Sequence, residues 1–373
     1  MEGADPLRQA EARAYCRAAR RRGRLGRIVL GLLAVAAALG GERIADALAT
    51  PGPLALDAAV YAWAGILALW LAGLPFALAG WRAARRAGLS LQRLPGWFAD
   101  QGKSLALGAI LAPIAMTGLV AALRAWPRGW WLPVTAGAIA VELLLTVVAP
   151  VLILPLFLRS HPLPPGPLAD DLHALAERGG VRVRALRVLE ASAKTSASNA
   201  FVAGHGPTRR IMLFDTLLGD DPEGEERLAE TRSVLAHELG HHARGDLWRL
   251  TAASAVATVI ALAAVAALLP RLPDEVSHWD DGVFAKLPAL FACAGLIQIV
   301  TAMALGWYSR RRERAADAFG IALLGEGEPF ARALERLCAT NLAELRPPRL
   351  EQWLGASHPA PYERIARARS ATH

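Results

Sequence analysis

Cysteine is scarce in this 373-residue chain. Cys16, Cys293 and Cys338 stand far apart, too few and too scattered for a disulfide framework or a paired-cysteine metal motif. Cys293 lies inside an apolar run, where a small core residue is the ordinary reading. Lysine is scarce too. It occurs only at Lys103, Lys194 and Lys286, so the formal net charge of +8 is carried almost wholly by arginine. Charged residues make up 20% of the chain, below the ~25% usual for a soluble domain. No nucleic-acid-binding motif accompanies the basic balance, and the arginines crowd at the ends of apolar runs; both observations argue against a nucleic-acid partner. The N-terminal stretch is also not expected to be a cleavable signal. The basic stretch RAARRRGRLGR leads into an apolar segment without a convincing small-residue cleavage site.

Apolar sequence is what the chain has in abundance, at 54% of residues. Runs near 27–48, 56–81, 103–124, 134–158, 248–270 and 285–308 each approach the ~20 residues needed to cross a bilayer. Pro150 and Pro155 in the fourth predict a kink packed against neighbours. Arg17, Arg20, Arg21, Arg22, Arg24 and Arg27 precede the first run, and Arg82, Arg85, Arg86, Arg93 and Lys103 fall between the second and third. SRRRER follows the sixth, whereas RLPDEVSHWDDGVF, between the fifth and sixth, is acidic. The positive-inside bias therefore predicts both termini in the cytoplasm and the acidic loop outside, with Trp130 and Trp131 at an interface.

The expected fold class is a predominantly α-helical polytopic membrane protein with a small α+β module. Four regions are expected: 1–158, a membrane domain with about four spans; 159–247, a cytoplasmic α+β module; 248–308, two further spans; and 309–373, a cytoplasmic C-terminal segment. In the module, PGPLADDLHALAERGG reads as a helix ended by Gly179 and Gly180, and VRVRALRVLE as a strand. SNAFVAG and RRIMLFD read as a hairpin.

SVLAHELGHHARGD, beginning at Ser233, carries the chemistry. His237 and His241 stand four apart, so a helix projects both imidazoles from one face. Glu238 sits where it can reach a water on a bound metal, the H-E-x-x-H arrangement of two zinc ligands and a general base. His242 lies about 100° around the helix from His241 and faces away. A catalytic zinc needs a third protein ligand. In SRRRERAADAFG, Glu313 and Asp317 are four apart on a second expected helix; Glu313 can complete a His2Glu site and Asp317 can accept a ligand's ring N–H. Asn199 and Ala200 lie on a strand whose edge could pair with an extended peptide. His358, beside Pro359 in a loop, could donate to an oxyanion. His161, His173, His205, His278 and His373 have no motif around them.

In order along the chain, LFLRSHPLP, SASNAF, RRIMLFDTLL, HELGHH, SRRRERAADAFG and ASHPAPYERI resemble the type I CAAX prenyl endopeptidases, integral-membrane zinc metalloproteases of the gluzincin kind. The resemblance runs from about Pro150 to Arg367. It implies one Zn2+ per chain held by His237, His241 and Glu313, with Glu238 as catalytic base. It further implies Asp317 as support for the ligands, Asn199 and His358 on substrate backbone or oxyanion, and Arg364 near the site. The fold implied is a ring of about six transmembrane helices around a chamber, one fewer than is typical, with a zincin-like catalytic module beneath a cytoplasmic cap. The substrate implied is a peptide or protein, with or without a lipid, met among membrane lipids. The Ala/Arg bias points to a GC-rich bacterial genome and so to a bacterial inner membrane. A quality-control protease of the HtpX kind is the alternative within the same chemistry; a membrane scaffold or transporter with a structural metal is the alternative outside it.

Overall fold

The computed structural model describes residues 5–203, 209–269, 282–354 and 356–371. Most of the acidic loop expected outside the membrane, together with His205, His278 and His373, lies outside the described residues.

Helix α1 (Pro6–Leu39) starts where Asp5 accepts from the Leu7 N–H at 2.9 Å. It is followed by α2 (Gly41–Leu48), bent 77° from it. The first apolar run is therefore a broken helix and not a straight crossing. Just past the bend, a Cβ on Gly41 would stand 1.9 Å from the Ala285 carbonyl oxygen, so only glycine lets the two backbones meet there. Next come α3 (Leu54–Arg86), α4 (Leu94–Ala125) and α5 (Trp131–Val148). A π-helical turn at Ala149–Ile153 then leads into the short α6 (Leu154–Phe157). Pro150 lies in that π-helical turn and Pro155 in α6.

The chain then builds a four-stranded sheet. Strand β1 (Ser160–Pro162) precedes α7 (Pro167–Arg178), then β2 (Ala185–Leu189), β3 (Ala200–Ala203) and β4 (Arg210–Phe214). The strand order is β1-β2-β4-β3, with β2 and β4 parallel and the other pairs antiparallel, so β3 forms an edge. The expected hairpin is the β3–β4 pair. After α8 (Asp215–Leu218), α9 (Glu225–Ala243) lies over the sheet. Leu172 of α7, Leu235 and Leu239 of α9, and Ile211 and Leu213 of β4 are each 0% exposed in one core. Each side chain of that size contributes roughly 1.5–3 kcal/mol by leaving water.

Helix α10 (Asp246–Leu268) follows α9 after a single turn, and α11 (Val283–Leu324) runs 42 residues without a break. Helices α12 (Gly327–Thr340), α13 (Arg349–Leu354) and α14 (Pro361–Ser370) close the chain. At ~1.5 Å per residue α11 is long enough to cross a bilayer and continue well into the soluble module. It carries the expected boundary at 308/309 inside one helix. Helices α3, α4, α5–α6, α10 and α11 are long and apolar enough to span a membrane, and the bent α1–α2 pair makes a sixth candidate. Their outer faces are apolar: Ile114, Leu144, Ile260 and Leu296 are all more than half exposed, as lipid-facing residues would be.

Candidate metal centre

Helix α9 begins after Gly224 with Glu225 and Glu226 in its first turn, where the helix dipole favours acids. It crosses α11 at close range. A Cβ on Gly240 would lie 2.9 Å from the Ala316 carbonyl oxygen, and one on Gly320 would lie 3.1 Å from the His237 nitrogen. That proximity brings three expected ligands together. Ligand atoms of His237, His241 and Glu313 all lie within 4.8 Å of one another. The His241 Nε2 is 3.2 Å from the His237 Nε2 and 3.2 Å from Glu313 Oε1. Glu313 Oε2 lies 3.4 Å from His237 Nε2, yet it is buried without a hydrogen-bond partner.

Each imidazole is held from behind. The His237 Nδ1–H donates to Asp317 Oδ1 at 2.8 Å, and the His241 Nδ1–H donates to Asp246 Oδ2 at 2.9 Å. Each of these carboxylates is in turn gripped by an arginine. Arg364 donates to Asp317 through Nε at 2.8 Å and Nη2 at 2.6 Å. Arg312 donates to Asp246 through Nε at 2.6 Å and also through Nη2. Proton placement on Nδ1 leaves both Nε2 lone pairs facing each other and the Glu313 carboxylate. Three converging electron-pair donors repel one another unless a cation stands among them, so the residues fit a metal. The surrounding charge favours a cation at this point, either a proton on each imidazole or a metal between them. Burial alone would lower His241, but Asp246 and then Glu313 outweigh it and raise the imidazole to about 10; His237 is raised in the same way, by Asp317 and Glu313 against burial. Burial also raises Glu238, with the two histidines opposing.

A cleft of about 130 Å³ opens beside these groups, lined by Asn199, His237, Glu238, His358 and Arg364 among others. His358 Nε2 lies 3.4 Å from Glu313 Oε2, and the Ser357 hydroxyl meets His358 Nδ1 at 2.7 Å. Ala200 is not on the cleft wall; its N–H is taken up by the Asn199 side chain at 2.9 Å. His242 faces away as expected, and its Nε2 reaches the Val202 carbonyl at 3.1 Å, tying α9 to the edge strand. Arg364 touches the cleft and also braces Asp317. Asp246 and Arg312 were not expected from the sequence. The one signal for Asp246 is an acid placed just after the GD turn that follows the histidines, and Arg312 is hidden in the arginine run.

Comparison with known proteins fits this geometry. A model of peptidase family M48 matches residues 162–372, more than half the chain, and a model described as CAAX prenyl protease N-terminal, five membrane helices, matches residues 24–159. The chain belongs to peptidase family M48. A *Bacillus subtilis* protein named uncharacterized metalloprotease YhfN is 26% identical over 304 residues, 80% of this chain and 70% of that one. The CAAX prenyl protease 1 of *Saccharomyces cerevisiae* is 25% identical over 287 residues, 72% of this chain and 62% of that one. A protease HtpX homolog from *Bordetella petrii* is 32% identical over 181 residues, 48% of this chain and 58% of that one. The chain thus spans between 58% and 70% of the length of these relatives. The crystal structure of *S. mikatae* Ste24p superposes with a TM-score of 0.83 at 21% identity, covering 98% of this chain and 89% of that one, so the fold is shared. The protein is an integral-membrane metalloendopeptidase of this family, acting on peptide or protein substrates.

Proposed function

We propose that the chain is a zinc endopeptidase holding one Zn2+ through His237, His241 and Glu313, and that it cuts CAAX-like or other membrane-associated chains at the cytoplasmic face of a bacterial inner membrane. The observation that carries this reading is Glu238, which lines the cleft together with His237, one of the three converging donors. A structural metal has no use for a carboxylate so placed, which counts against a scaffold or transporter. The ion, when bound, supplies Lewis-acid polarisation of the scissile carbonyl and a water pKa lowered toward ~7. Glu238 takes the proton of the attacking water and delivers it to the leaving amine. The His358 Nε2–H donates to the developing oxyanion. Asn199, at the head of the edge strand, releases the Ala200 N–H from its own side chain as an extended substrate takes that bond. Asp317 and Asp246 keep both ligand imidazoles in one tautomer. The arginine-rich segments 17–27 and 82–93 support a cytoplasmic site.

Mass spectrometry of a farnesylated CAAX peptide and its unprenylated twin, incubated with purified protein and with Glu238→Gln as the blank, tests the reading. Cleavage three residues from the end, favoured by the lipid and absent from the blank, is the expected result. Equal cutting of both peptides would shift the substrate to misfolded membrane chains, the HtpX-like reading. Cutting by the Glu238→Gln protein would remove the proposed base.

A further inference from the structure

The sheet has a second face with a different purpose from the first. Period-two alternation sends Leu186, Val188, Ile211 and Leu213 into the core beneath α9. The intervening residues, Arg187, Leu189, Arg210 and Met212, point the other way, and the parallel register sets Arg187 opposite Met212 and Ala185 opposite Arg210. With the π-helical end of the α5–α6 span they line a cavity of about 740 Å³, within the size range of small-molecule sites.

The two walls differ in chemistry. One is apolar and belongs to the end of the membrane span, through Val151, Leu154 and Leu158, and Val151 is 52% exposed. The other carries Arg187 and Arg210, with Arg159 at the junction of span and sheet. Arg187 is pre-set: its Nε donates to Ser160 Oγ at 3.0 Å and its Nη2 to the Ser160 carbonyl at 2.7 Å, which leaves Nη1 to the cavity. Against three guanidinium groups the lining holds one acid, Glu190. Among the described residues none of the three arginines is in an ion pair. Guanidinium forks suit phosphate oxygens, and a basic pocket where a span leaves the bilayer suits an anionic headgroup.

We infer that this cavity binds an anionic phospholipid, its phosphate on Arg159, Arg187 and Arg210 and one acyl chain along Val151, Leu154 and Leu158. A free phosphate would satisfy the arginines but would leave the apolar wall uncovered. A zwitterionic lipid would cover that wall while bringing its own cation toward three others. The occupant bridges the membrane span and the sheet on the face turned away from the metal, so it fastens the module to the bilayer without entering the cleft.

The test uses delipidated, full-length protein titrated separately with phosphatidylglycerol, phosphatidylcholine and inorganic phosphate, read by native mass spectrometry and thermal melting. Phosphatidylglycerol is expected to remain bound one to one and to raise the melting midpoint, while phosphatidylcholine and phosphate do neither. Arg159→Ala/Arg210→Ala should weaken phosphatidylglycerol binding about tenfold or more. Val151→Trp, which narrows the acyl slot and leaves every arginine in place, should weaken it independently, and it carries the test if the double variant does not fold. Equal binding of the two lipids, or undiminished phosphatidylglycerol binding in the variants, would overturn the proposal. Stabilisation by inorganic phosphate equal to that by the lipid would make this a free-anion site and would overturn the lipid assignment.

Discussion

The Asp246 carboxylate lies 2.9 Å from Nδ1 of His241, although the two residues belong to different helices. Gly245, in the left-handed region at φ 64°, makes the turn that starts α10 at Asp246 and swings the carboxylate back behind the histidine. Asp246 is 1% exposed, and Arg312 offsets its charge. The same design appears around His237, where Asp317 and Arg364 stand in for Asp246 and Arg312. A carboxylate behind a ligand imidazole fixes its tautomer and raises its basicity. Asp246→Asn keeps the shape and removes the charge, so metal affinity should fall by roughly 10–100-fold. Competition against a calibrated chelator measures it. An unchanged affinity would mean that His241 is oriented by α9 packing alone.

Removal of the base should separate chemistry from binding. Glu238→Gln is expected to retain the metal, because the carboxylate is not among the three converging ligand groups. Turnover should fall at least ~10²–10⁴-fold, the usual worth of a positioned acid–base group. Glu313→Ala should instead lose the metal itself. Elemental analysis beside a peptidase assay distinguishes the two. A glutamine variant that lost its metal would place Glu238 in the ligand set.

The pattern of legible and hidden parts follows from what a sequence displays. His237 and His241 were readable because helical periodicity alone puts them on one face, and Glu238 because the H-E-x-x-H pattern names it. Glu313 and Asp317 were readable for the same reason, on a second helix. Asp246 was not, because its relation to His241 runs through a left-handed turn that no periodicity encodes. Arg312 was not, because SRRRER reads first as a membrane-side signal and only the fold turns one of its arginines inward. The close approach at Gly41 was invisible for a third reason. Hydropathy counts apolar side chains and is blind to a backbone that must pass 1.9 Å of prospective Cβ space from Ala285.

His358 should act as a neutral donor. Burial, which penalises the charged imidazole, lowers its pKa below the ordinary 6.5; the pull of Glu313 opposes this, and the neighbouring cations add to it. The sign of the shift follows directly: the neutral ring is favoured at neutral pH, and the Ser357 hydroxyl at 2.7 Å can hold Nδ1 as acceptor, leaving the proton on Nε2. His358→Ala should cost about 10²–10³-fold in kcat. The ratio of wild-type to variant rate should not fall as pH rises from about 7 to 8, because the lowered pKa already favours the neutral ring there. A ratio that collapsed as pH rose through that range would identify the imidazolium as the donor.

The helix crossing at Gly240 should control the metal site without supplying any ligand. Gly240 precedes His241, and it faces Ala316, which lies between Glu313 and Asp317 on α11. A methyl group there would stand 2.9 Å from the Ala316 carbonyl oxygen and 3.0 Å from its Cα, both backbone atoms that no rotamer change can move. Gly240→Ala must therefore push α9 and α11 apart, which should cost roughly 1–3 kcal/mol of overpacking strain. The displacement also separates His237 and His241 from Glu313, so metal affinity and thermal stability should fall together, and excess metal should restore only part of the melting temperature. Gly137→Ala in α5, where nothing lies within 4 Å of the new methyl, is the control and should leave both unchanged or slightly raise stability. If Gly240→Ala melted like the control and held its metal as tightly, the close crossing would not be what sets the ligand geometry.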